Sequence, residues 1–377
     1  MSPFLPAYLG PRYRTEAPPP ALTPIQADVR RRTLEENRAA DWESVDCLCG
    51  ASGGHVLTEV DRYGLPYRKV VCMACGLLRV TPRWTAVRYA RFYEHHYRDL
   101  YSPLSEKSAT DTLVKLAQGA GAALVGAFVE KAWRRFGDPH NPRPAVLEIG
   151  AGGGWNLSRL PGEWTRIGFD FDERFLQAGR AAFGVDLRRG FLPEAMPVVA
   201  EADCILLSHV LEHVPSPIAT LRELAAVARP DALILLEVPG IFRLHKTSLD
   251  PMRYWQNAHT FTFCARTAVD TCRRAGLEPL AVDEWIRLVL RASSLAEGPV
   301  RNDPRLARSV ERYLRYCENS YRLALSCARL PLLGSKAVQV ARLSADAIMR
   351  AAVGLQLIHG MRADVATADI PAFERFV

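Results

Sequence analysis

Hydrophobic and polar positions change rhythm along the chain, and the clearest rhythm follows the breaker-rich segment 137–144. Short apolar runs alternate there with segments of helical period. The predicted strands are Ala145–Ile149, Arg166–Phe169, Cys204–Leu207, Leu233–Val238, Leu280–Asp283 and Ile286–Leu290. The predicted helices are Phe175–Phe183, Pro217–Ala228 and a segment from Arg266 to Gly276. This alternation is typical of an α/β fold whose parallel sheet carries helices on both faces.

The flanking parts of the chain follow other patterns. Residues 1–25 contain seven prolines and no sustained periodicity, which predicts an extended or disordered arm before a short helix near Asp28–Ala40. An alanine-rich helical segment covers Ser105–Phe136. Beyond Asp303 apolar positions recur at helical spacing, and a turn at Pro331–Ser335 precedes a second amphipathic helix. We therefore expect a helical C-terminal extension.

Composition narrows the class of protein. The 377 residues are 49% hydrophobic and 24% charged, as in soluble globular proteins. No apolar run reaches the roughly 18 residues that span a bilayer, and prolines interrupt the N-terminus, so we expect a cytoplasmic protein. The expected segments are a flexible arm with a short helix (1–44), a cysteine-rich region (45–100), a helical connector (101–144), an α/β domain (145–298) and the helical extension (299–377).

Three glycines at alternate positions follow the first predicted strand: Gly150, Gly152 and Gly154. Without a Cβ the backbone turns sharply and a ligand approaches closely, and a helix after the turn would direct N–H groups at it. The dinucleotide fingerprint fails because its sixth position is Trp155, and the Gly-Lys-Ser/Thr of a P-loop is missing. Glu148 instead places a carboxylate beside the turn, which suits a ligand with an ammonium or sulfonium group.

A second acidic position follows the second predicted strand, about 20 residues after the turn. Asp170 at this strand end can accept hydrogen bonds from both hydroxyls of a ribose, whereas Asp172 suits a helix N-cap. The glycine turn, the carboxylate beside it and the ribose acid together predict a site for S-adenosylmethionine.

Residues 145–240 resemble the class I S-adenosylmethionine-dependent methyltransferases. The segments that carry the resemblance are Leu147–Gly154, Gly168–Asp170, Cys204–Val214, Leu221–Leu224 and Leu235–Gly240. The resemblance implies a doubly wound, mostly parallel seven-stranded sheet of the Rossmann-like methyltransferase type. It also implies that Glu148 to Gly154 hold the methionine part and that Asp170 holds the ribose. The other implied cofactor contacts are Phe171, Phe191, Leu192 and Ser208.

A competing motif overlaps this region. His209-Val-Leu-Glu-His213 matches the His-x-x-Glu-His pattern of one class of zinc peptidases. That chemistry needs both histidines on one face of a regular helix, whereas Pro215 and Pro217 interrupt any helix here. We therefore favour the methyltransferase interpretation.

A cysteine cluster lies upstream of the α/β domain. It consists of Cys47, Cys49, Cys72 and Cys75. Two cysteine knuckles 22 residues apart predict a structural zinc site in a small region that lacks a core of its own. The first knuckle is an irregular Cys-x-Cys, so Asp46 or His55 stays open as a ligand, as does a metal-free set of reduced thiols.

The segments Cys75–Arg83 and Phe92–Arg98 resemble the zinc-binding region that precedes many bacterial methyltransferases. Among these are C-methyltransferases of nucleotide-linked deoxysugars, and the resemblance covers about residues 45–290. In those enzymes the C-terminal part is another α/β domain, whereas here it is helical. The implied acceptor is therefore a nucleotide-linked sugar or a natural-product intermediate.

Methyl transfer requires a positioned acceptor and, where the acceptor is protonated, a base. His259 is our first candidate, because its segment resembles the one that bears a functional histidine in the sugar enzymes. Tyr254 lies in the same segment, and His209 is the second candidate. For each histidine, a loop side chain bonded to a backbone carbonyl is an equally open interpretation.

Two further functions remain as alternatives. The net charge is +7, with ten basic and four acidic residues in 301–350, so a methyltransferase acting on nucleic acid is conceivable. The cysteine cluster lacks the interleaved aromatic and basic residues of a stacking platform, so we expect a small-molecule acceptor instead. A non-catalytic scaffold would use the C-terminal helices, which could also hold a homodimer together.

Overall fold

The computed structural model describes residues 3–15, 21–101, 109–248, 250–283, 285–293 and 302–328. The strands are β1 (Phe4–Pro6), β2 (Trp42–Glu43), β3 (Gly54–Val60), β4 (Pro66–Val71), β5 (Leu78–Val80), β6 (Arg83–Trp84), β7 (Ala145–Ile149), β8 (Thr165–Asp170), β9 (Asp186–Arg189), β10 (Cys204–Ser208), β11 (Leu233–Glu237), β12 (Phe261–Thr262), β13 (Leu277–Val282) and β14 (Arg287–Ala292). The helices are α1 (Pro24–Glu35), α2 (Ala86–His95), α3 (Tyr97–Tyr101), α4 (Ala109–Gln118), α5 (Ala120–Phe136), α6 (Glu173–Phe183), α7 (Leu192–Val199), α8 (Pro217–Val227), α9 (Leu244–Thr247), α10 (Ala265–Arg274) and α11 (Pro304–Ala328).

A seven-stranded sheet with the order β13-β14-β11-β10-β7-β8-β9 forms the centre of the α/β part. Every neighbouring pair is parallel except those that include β14, which runs antiparallel to β11 and β13. The sheet is therefore mixed rather than purely parallel. The strand order reverses between β7 and β10, and a crevice opens outside the carboxyl ends of the strands at such a switch point.

Alternate residues of the central strands face opposite sides of this sheet. Leu147 and Ile205 belong to the core on one face, whereas Val146 and Leu206 belong to the core on the other. Both faces are therefore buried, which explains why these strands are continuous apolar runs.

Some element boundaries differ from the sequence prediction. The predicted helix Ser105–Phe136 is two helices, α4 and α5, that meet at Gly119. The sequence analysis missed β9, a polar strand at the sheet edge, and α7, which contains Pro197. Among the described residues no single helix is long and apolar enough to cross a bilayer, and α4 and α5 meet that criterion only as a pair bent by 59°.

The N-terminal region forms a second sheet, in the order β1-β3-β4-β5-β12. Its last strand, β12, comes from the α/β part of the chain and pairs antiparallel with β5. The described part of the first 15 residues is not a free arm: β1 pairs in parallel with β3, and Leu9 and Tyr13 are buried. The apolar side chains Leu9 and Tyr13, which lie among the prolines, pack into the core of the N-terminal sheet. The number of prolines by itself does not predict this packing.

Helix α11 packs on the N-terminal sheet of its own chain. Val310, Tyr313 and Leu314 are buried together with Leu57 and Leu78 of the sheet. The predicted homodimer through the C-terminal helices is not supported, and the apolar side chains of α11 from Val310 to Cys317 are covered within the chain. The predicted second amphipathic helix, after Pro331–Ser335, lies outside the described residues.

A buried carboxylate ties α11 to the N-terminal segment. Glu318 is 1% exposed and accepts hydrogen bonds from Tyr13 Oη at 2.6 Å and from Arg12 Nη2 at 2.6 Å. Arg12 Nε donates to the second carboxylate oxygen at 3.1 Å. Removing one partner from such a cluster leaves buried polar groups unsatisfied.

We expect the Glu318→Gln substitution to lower the free energy of unfolding by about 2–3 kcal/mol, because a buried ion pair is broken. Urea denaturation followed by circular dichroism measures this change. Glu35→Gln is the matched control, since Glu35 and Arg31 form an exposed helix pair at 2.8 Å whose loss costs under about 0.5 kcal/mol. Equal losses in the two variants would show that the Glu318 cluster does not hold α11 in place.

Candidate functional site

A cleft of about 1460 Å³ opens at the carboxyl ends of β7, β8, β10 and β11. Its opposite wall includes Tyr93 from α2 and Tyr97 and Arg98 from α3. The volume exceeds the roughly 300–1000 Å³ of a site for one small ligand. The cleft therefore has room for two ligands side by side.

The glycine turn after β7 forms part of the cleft floor. Gly150 and Gly152 line the cleft with φ angles of 76° and 57°, which are left-handed values that favour glycine. A Cβ on Gly152 would collide with the ring of Trp155, and one on Gly150 would lie 2.6 Å from Val210 Cγ2. Gly152 N donates to Asp170 Oδ2 at 2.8 Å, so the turn is attached to the end of β8.

The structure of this turn differs from the sequence expectation in two respects. Gly154 does not line the cleft but packs against Leu187, 3.0 Å from where its Cβ would be. No long helix follows the turn, where the structure has only the short 3₁₀ segment Leu157–Arg159. The ligand-facing groups of the turn therefore come from its own backbone and not from a helix N-terminus.

Glu148 is buried next to the turn and does not line the cleft. Its Oε1 accepts a hydrogen bond from Asn156 Nδ2 at 2.7 Å, whereas Oε2 has no hydrogen-bond partner within the described chain. The pKa of Glu148 is raised to about 8, chiefly by burial and in addition by the negative charges of Asp170 and Glu237, against the lowering effect of the hydrogen bond from Asn156. Three carboxylates therefore gather around this end of the sheet.

Asp170 lines the cleft at the end of β8, as the sequence predicts. Besides its bond to Gly152 N, it accepts a hydrogen bond from Asp172 N at 3.0 Å, and Arg98 Nη2 lies 3.7 Å from Oδ1. Asp172 caps α6, as predicted, and Arg98 Nε donates to its Oδ2 at 3.2 Å. Each oxygen of Asp170 keeps a lone pair for a further donor.

Aromatic rings lie beside Asp170. Phe171 is 59% exposed and stacks on Phe191 with ring centroids 5.1 Å apart and planes inclined by 26°. Both rings line the cleft. Leu192, predicted to contact the cofactor, is instead buried in the core beside the sheet, because it begins α7 on that helix's apolar face.

The end of β10 brings Ser208 and His209 into the cleft wall. Ser208 Oγ donates to Glu237 Oε2 at 2.9 Å, and Arg287 Nε donates to Glu237 Oε1 at 3.1 Å. The His209 side chain is 58% exposed to the cleft, and its Nδ1 lies 3.2 Å from Glu212 Oε1. Desolvation in the cleft lowers the pKa of His209, but the hydrogen bond and charge of Glu212 raise it to about 9.

The zinc-peptidase motif does not have the geometry that a peptidase needs. Residues 211–213 form a turn rather than a helix, and His209 has a left-handed φ of 55°. The two histidines of the motif therefore do not share a helix face. The structure rejects this alternative for the reason that the prolines suggest.

The other two candidates for catalysis are less accessible. His259 is 8% exposed and does not line the cleft; its ring packs edge to face on His213 at 4.7 Å. Lys69 Nζ donates to the backbone carbonyl of His259 at 2.9 Å, which fixes the residue in the interior. Tyr254 lines the cleft, but its hydroxyl donates to the Pro239 carbonyl at 2.8 Å, and burial raises its pKa well above 10.

The four cysteines of the cluster converge on one point. The Sγ atoms of Cys47 and Cys75 are 3.5 Å apart, as are those of Cys49 and Cys72, and all four lie within 4.8 Å of one another. Neither open alternative joins them: His55 pairs with Glu311 at 2.8 Å, and Asp46 is not in the group.

Sequence reasoning missed several residues of the cleft, of which Arg98, Glu237 and His213 stand out. Glu237 ends a predicted strand, so the rule that sites form at strand ends could have found it. Arg98 and Tyr93 occur in the segment that carries the resemblance to methyltransferases, although nothing in their spacing indicates a cleft wall.

A family model described as a methyltransferase domain matches residues 120–282. Comparison with curated proteins gives no significant match.

Several solved structures are similar at low identity. A possible histamine N-methyltransferase of Thermotoga maritima is 17% identical, covering 45% of this chain and 91% of that one, with a TM-score of 0.30. The CurJ carbon methyltransferase is 17% identical over 46% and 54% of the two chains, with a TM-score of 0.36. The O-methyltransferase NcsB1 of neocarzinostatin biosynthesis is 18% identical over 55% and 61%, with a TM-score of 0.37.

The family match includes the turn after β7, the acid at the end of β8 and the cleft-lining ends of β10 and β11. Residues 120–282 match a methyltransferase domain, and this match supports an enzyme of the S-adenosylmethionine-dependent methyltransferase class.

Proposed function

We propose that this enzyme methylates a small-molecule acceptor that lies beside S-adenosylmethionine in the cleft. The observation that carries the proposal is the group of carboxylates around the glycine turn. Asp170 and Glu237 are close enough to raise the pKa of Glu148. Glu148 Oε2 is buried without a partner in the described chain. Such a concentration of negative charge suits a ligand that carries ammonium and sulfonium groups.

The residues at the turn fit the remaining parts of the cofactor. Asp170 retains lone pairs for the ribose hydroxyls, and the stacked rings of Phe171 and Phe191 offer an apolar surface to adenine. Gly150 and Gly152 place no side chain on the cleft floor. A Cβ at these positions would collide with Val210 and with Trp155, respectively. When bound, S-adenosylmethionine supplies an electrophilic methyl group on its sulfonium.

The other half of the cleft is proposed to hold the acceptor. Tyr93 and Tyr97 line its wall, and Trp285 lines it from the loop before β14. These rings favour an acceptor with apolar or ring-shaped surfaces. A nucleotide-linked sugar and a natural-product intermediate both fit this description. Nucleic acid is disfavoured, because Arg315 of the basic helix is engaged with Glu311 and with backbone carbonyls of the N-terminal segment.

His209 is the proposed proton acceptor, because it is the histidine of the two candidates that lines the cleft. Glu212 holds its Nδ1, which leaves Nε2 for the acceptor. With a pKa of about 9 the ring is mostly protonated at neutral pH, so only its neutral fraction acts as the base, and that fraction grows as the pH approaches 9. The role of a base would be excluded if a His209→Asn enzyme methylated an identified acceptor at the wild-type rate.

Zinc is the proposed ligand of Cys47, Cys49, Cys72 and Cys75. Tetrahedral zinc with bonds of about 2.3 Å places its sulfurs about 3.8 Å apart, close to the spacing found here. A glycine N–H closes each knuckle: Gly50 N donates to the Cys47 carbonyl three residues earlier at 2.7 Å, and Gly76 N donates to the Cys72 carbonyl four residues earlier at 2.8 Å. The irregular Cys-x-Cys thus forms a turn one residue shorter than the regular one, with its thiols still in the group.

The Asp170→Ala substitution should raise the Kd for S-adenosylmethionine at least tenfold, because charge-assisted hydrogen bonds contribute about 1.5–3 kcal/mol each. Isothermal titration calorimetry measures the change. Asp170→Asn should lose less, since it keeps one acceptor oxygen. Asp186→Ala, at an exposed position of β9, is the matched control and should bind as the wild type does. Unchanged affinity in Asp170→Ala would contradict the assignment of the donor site.

The Glu148→Gln substitution should stabilise the ligand-free protein as pH rises. The carboxyl has a pKa of about 8 when folded and about 4.5 when unfolded, so ionisation favours the unfolded chain between these values. We expect the variant to gain about 2–4 kcal/mol over the wild type between pH 5 and pH 8.5, with no further gain at higher pH. At pH 8.5 it should also bind S-adenosylmethionine at least tenfold more weakly.

Denaturant titrations at several pH values measure the gain. Glu163→Gln, at an exposed position, is the control and should show a difference that does not vary with pH. A gain for Glu148→Gln that is constant from pH 5 to pH 8.5 would rule out the buried ionisation.

The Cys75→Ser substitution should remove the thiolate site. With Co²⁺ in place of zinc, the sulfur-to-cobalt charge-transfer absorption of the wild type should be lost, and the melting temperature should fall. Cys272→Ala, a buried cysteine of α10 outside the cluster, should keep the absorption. Absence of this absorption in the Co²⁺-treated wild type would disprove the site.

A further inference from the structure

A second group of potential metal ligands lies beside the cleft. Glu212 and His213 come from the turns after β10, and His259 comes from the turn before β12. One ligand atom from each of the three lies within 4.8 Å of the others. The His-x-x-Glu-His motif thus contributes its last two residues, and the fold adds a third residue 46 positions later.

Glu212 presents an unsatisfied oxygen to this group. The residue is 1% exposed, and its Oε1 faces His209 Nδ1 at 3.2 Å. Its Oε2 is buried and has no hydrogen-bond partner within the described chain. An unpaired carboxylate oxygen in the interior is costly, and a cation would compensate for it.

The orientation of His213 is that of a metal ligand. Its Nδ1 lies 3.1 Å from the Ala258 carbonyl oxygen and 2.9 Å from Tyr93 Oη. With the Nδ1 proton donated to the carbonyl, the lone pair of Nε2 is free, and Nε2 lies 3.8 Å from Glu212 Oε1. Histidines that bind metals usually donate their other N–H in this manner.

The two turns are linked to each other, so the three side chains need little rearrangement. Thr260 Oγ1 donates to the carbonyls of Glu212 and Val214, both at 3.1 Å, and Phe261 N donates to the Glu212 carbonyl at 3.3 Å. The His213 and His259 rings are in edge-to-face contact. A preorganised set of ligands binds more tightly than one that must assemble.

We propose that Glu212, His213 and His259 bind a divalent transition-metal ion, best matched by Zn²⁺, at a site distinct from the cysteine cluster. Two imidazole nitrogens and one carboxylate oxygen suit zinc and its neighbours in the first row, whereas Mg²⁺ and Ca²⁺ prefer oxygen ligands. Three protein ligands leave a coordination position for water or for a ligand from the cleft, which His213 also lines. The proposal does not depend on the identity of the acceptor.

Zinc stoichiometry tests the proposal on the full-length protein. After saturation with Zn²⁺ and desalting, elemental analysis should find two zinc ions per chain in the wild type and one in Glu212→Gln. His140→Gln, which removes an exposed histidine outside the group, is the matched control and should keep two. Equal zinc content in the wild type and in Glu212→Gln would overturn the proposal, whether or not the cysteine site is filled.

A spectroscopic titration separates the two sites and guards against misfolding. Protein whose cysteine site already holds zinc is titrated with Co²⁺, and visible d–d absorption without sulfur charge transfer should saturate at one equivalent. His259→Gln should weaken this binding at least tenfold while its near-ultraviolet circular dichroism stays that of the wild type. Sulfur charge transfer in place of this spectrum, or equal Co²⁺ affinity in folded His259→Gln, would also overturn the proposal.

Discussion

The burial of Glu148 beside the glycine turn is the constraint on which the cleft depends. A carboxylate that is 1% exposed, with one unpartnered oxygen in the described chain and two acids nearby, destabilises the ligand-free fold when it ionises. Only a cationic ligand reverses this cost, because it compensates Glu148 and its neighbours Asp170 and Glu237 together. Under the proposed function, stability and cofactor affinity are therefore opposed at this residue, as is common at functional sites.

The N-terminal region contributes to the cleft through α2 and α3 and is not a separate attachment. Cys72 and Cys75 lie in the turn between β4 and β5, and β5 pairs with β12, which follows His259 closely. Zinc at the cysteines would stabilise this turn and, through β12, the segment that carries His259. The α2–α3 wall belongs to the same N-terminal region, so the two walls of the cleft come from different parts of the chain.

The sequence predictions are accurate for features that depend on neighbouring residues and inaccurate for features that depend on residues far apart in the chain. The strands β7, β8, β10 and β11 and the cap at Asp172 depend on neighbouring residues, and the sequence predicts them. Leu192 and His259 do not line the cleft, and the sequence does not show this because their exposure depends on segments distant in sequence. The proline-rich start was expected to be free, since nothing in its pattern shows that Glu318 would bind Arg12 and Tyr13.

By itself the sequence determined the alternating α/β core, the glycine turn and the acids at two strand ends. Each depends on residues close together in the chain: the core on hydrophobic periodicity, the turn on the conformations open to glycine, and the acids on their spacing after the strands. Only the tertiary structure decided that His209 rather than His259 faces the cleft. Only the tertiary structure shows that the four cysteines form one group and that His259 lies beside Glu212 and His213. Such contacts join residues that lie far apart in the chain, and hydrophobic periodicity carries no information about which loops meet.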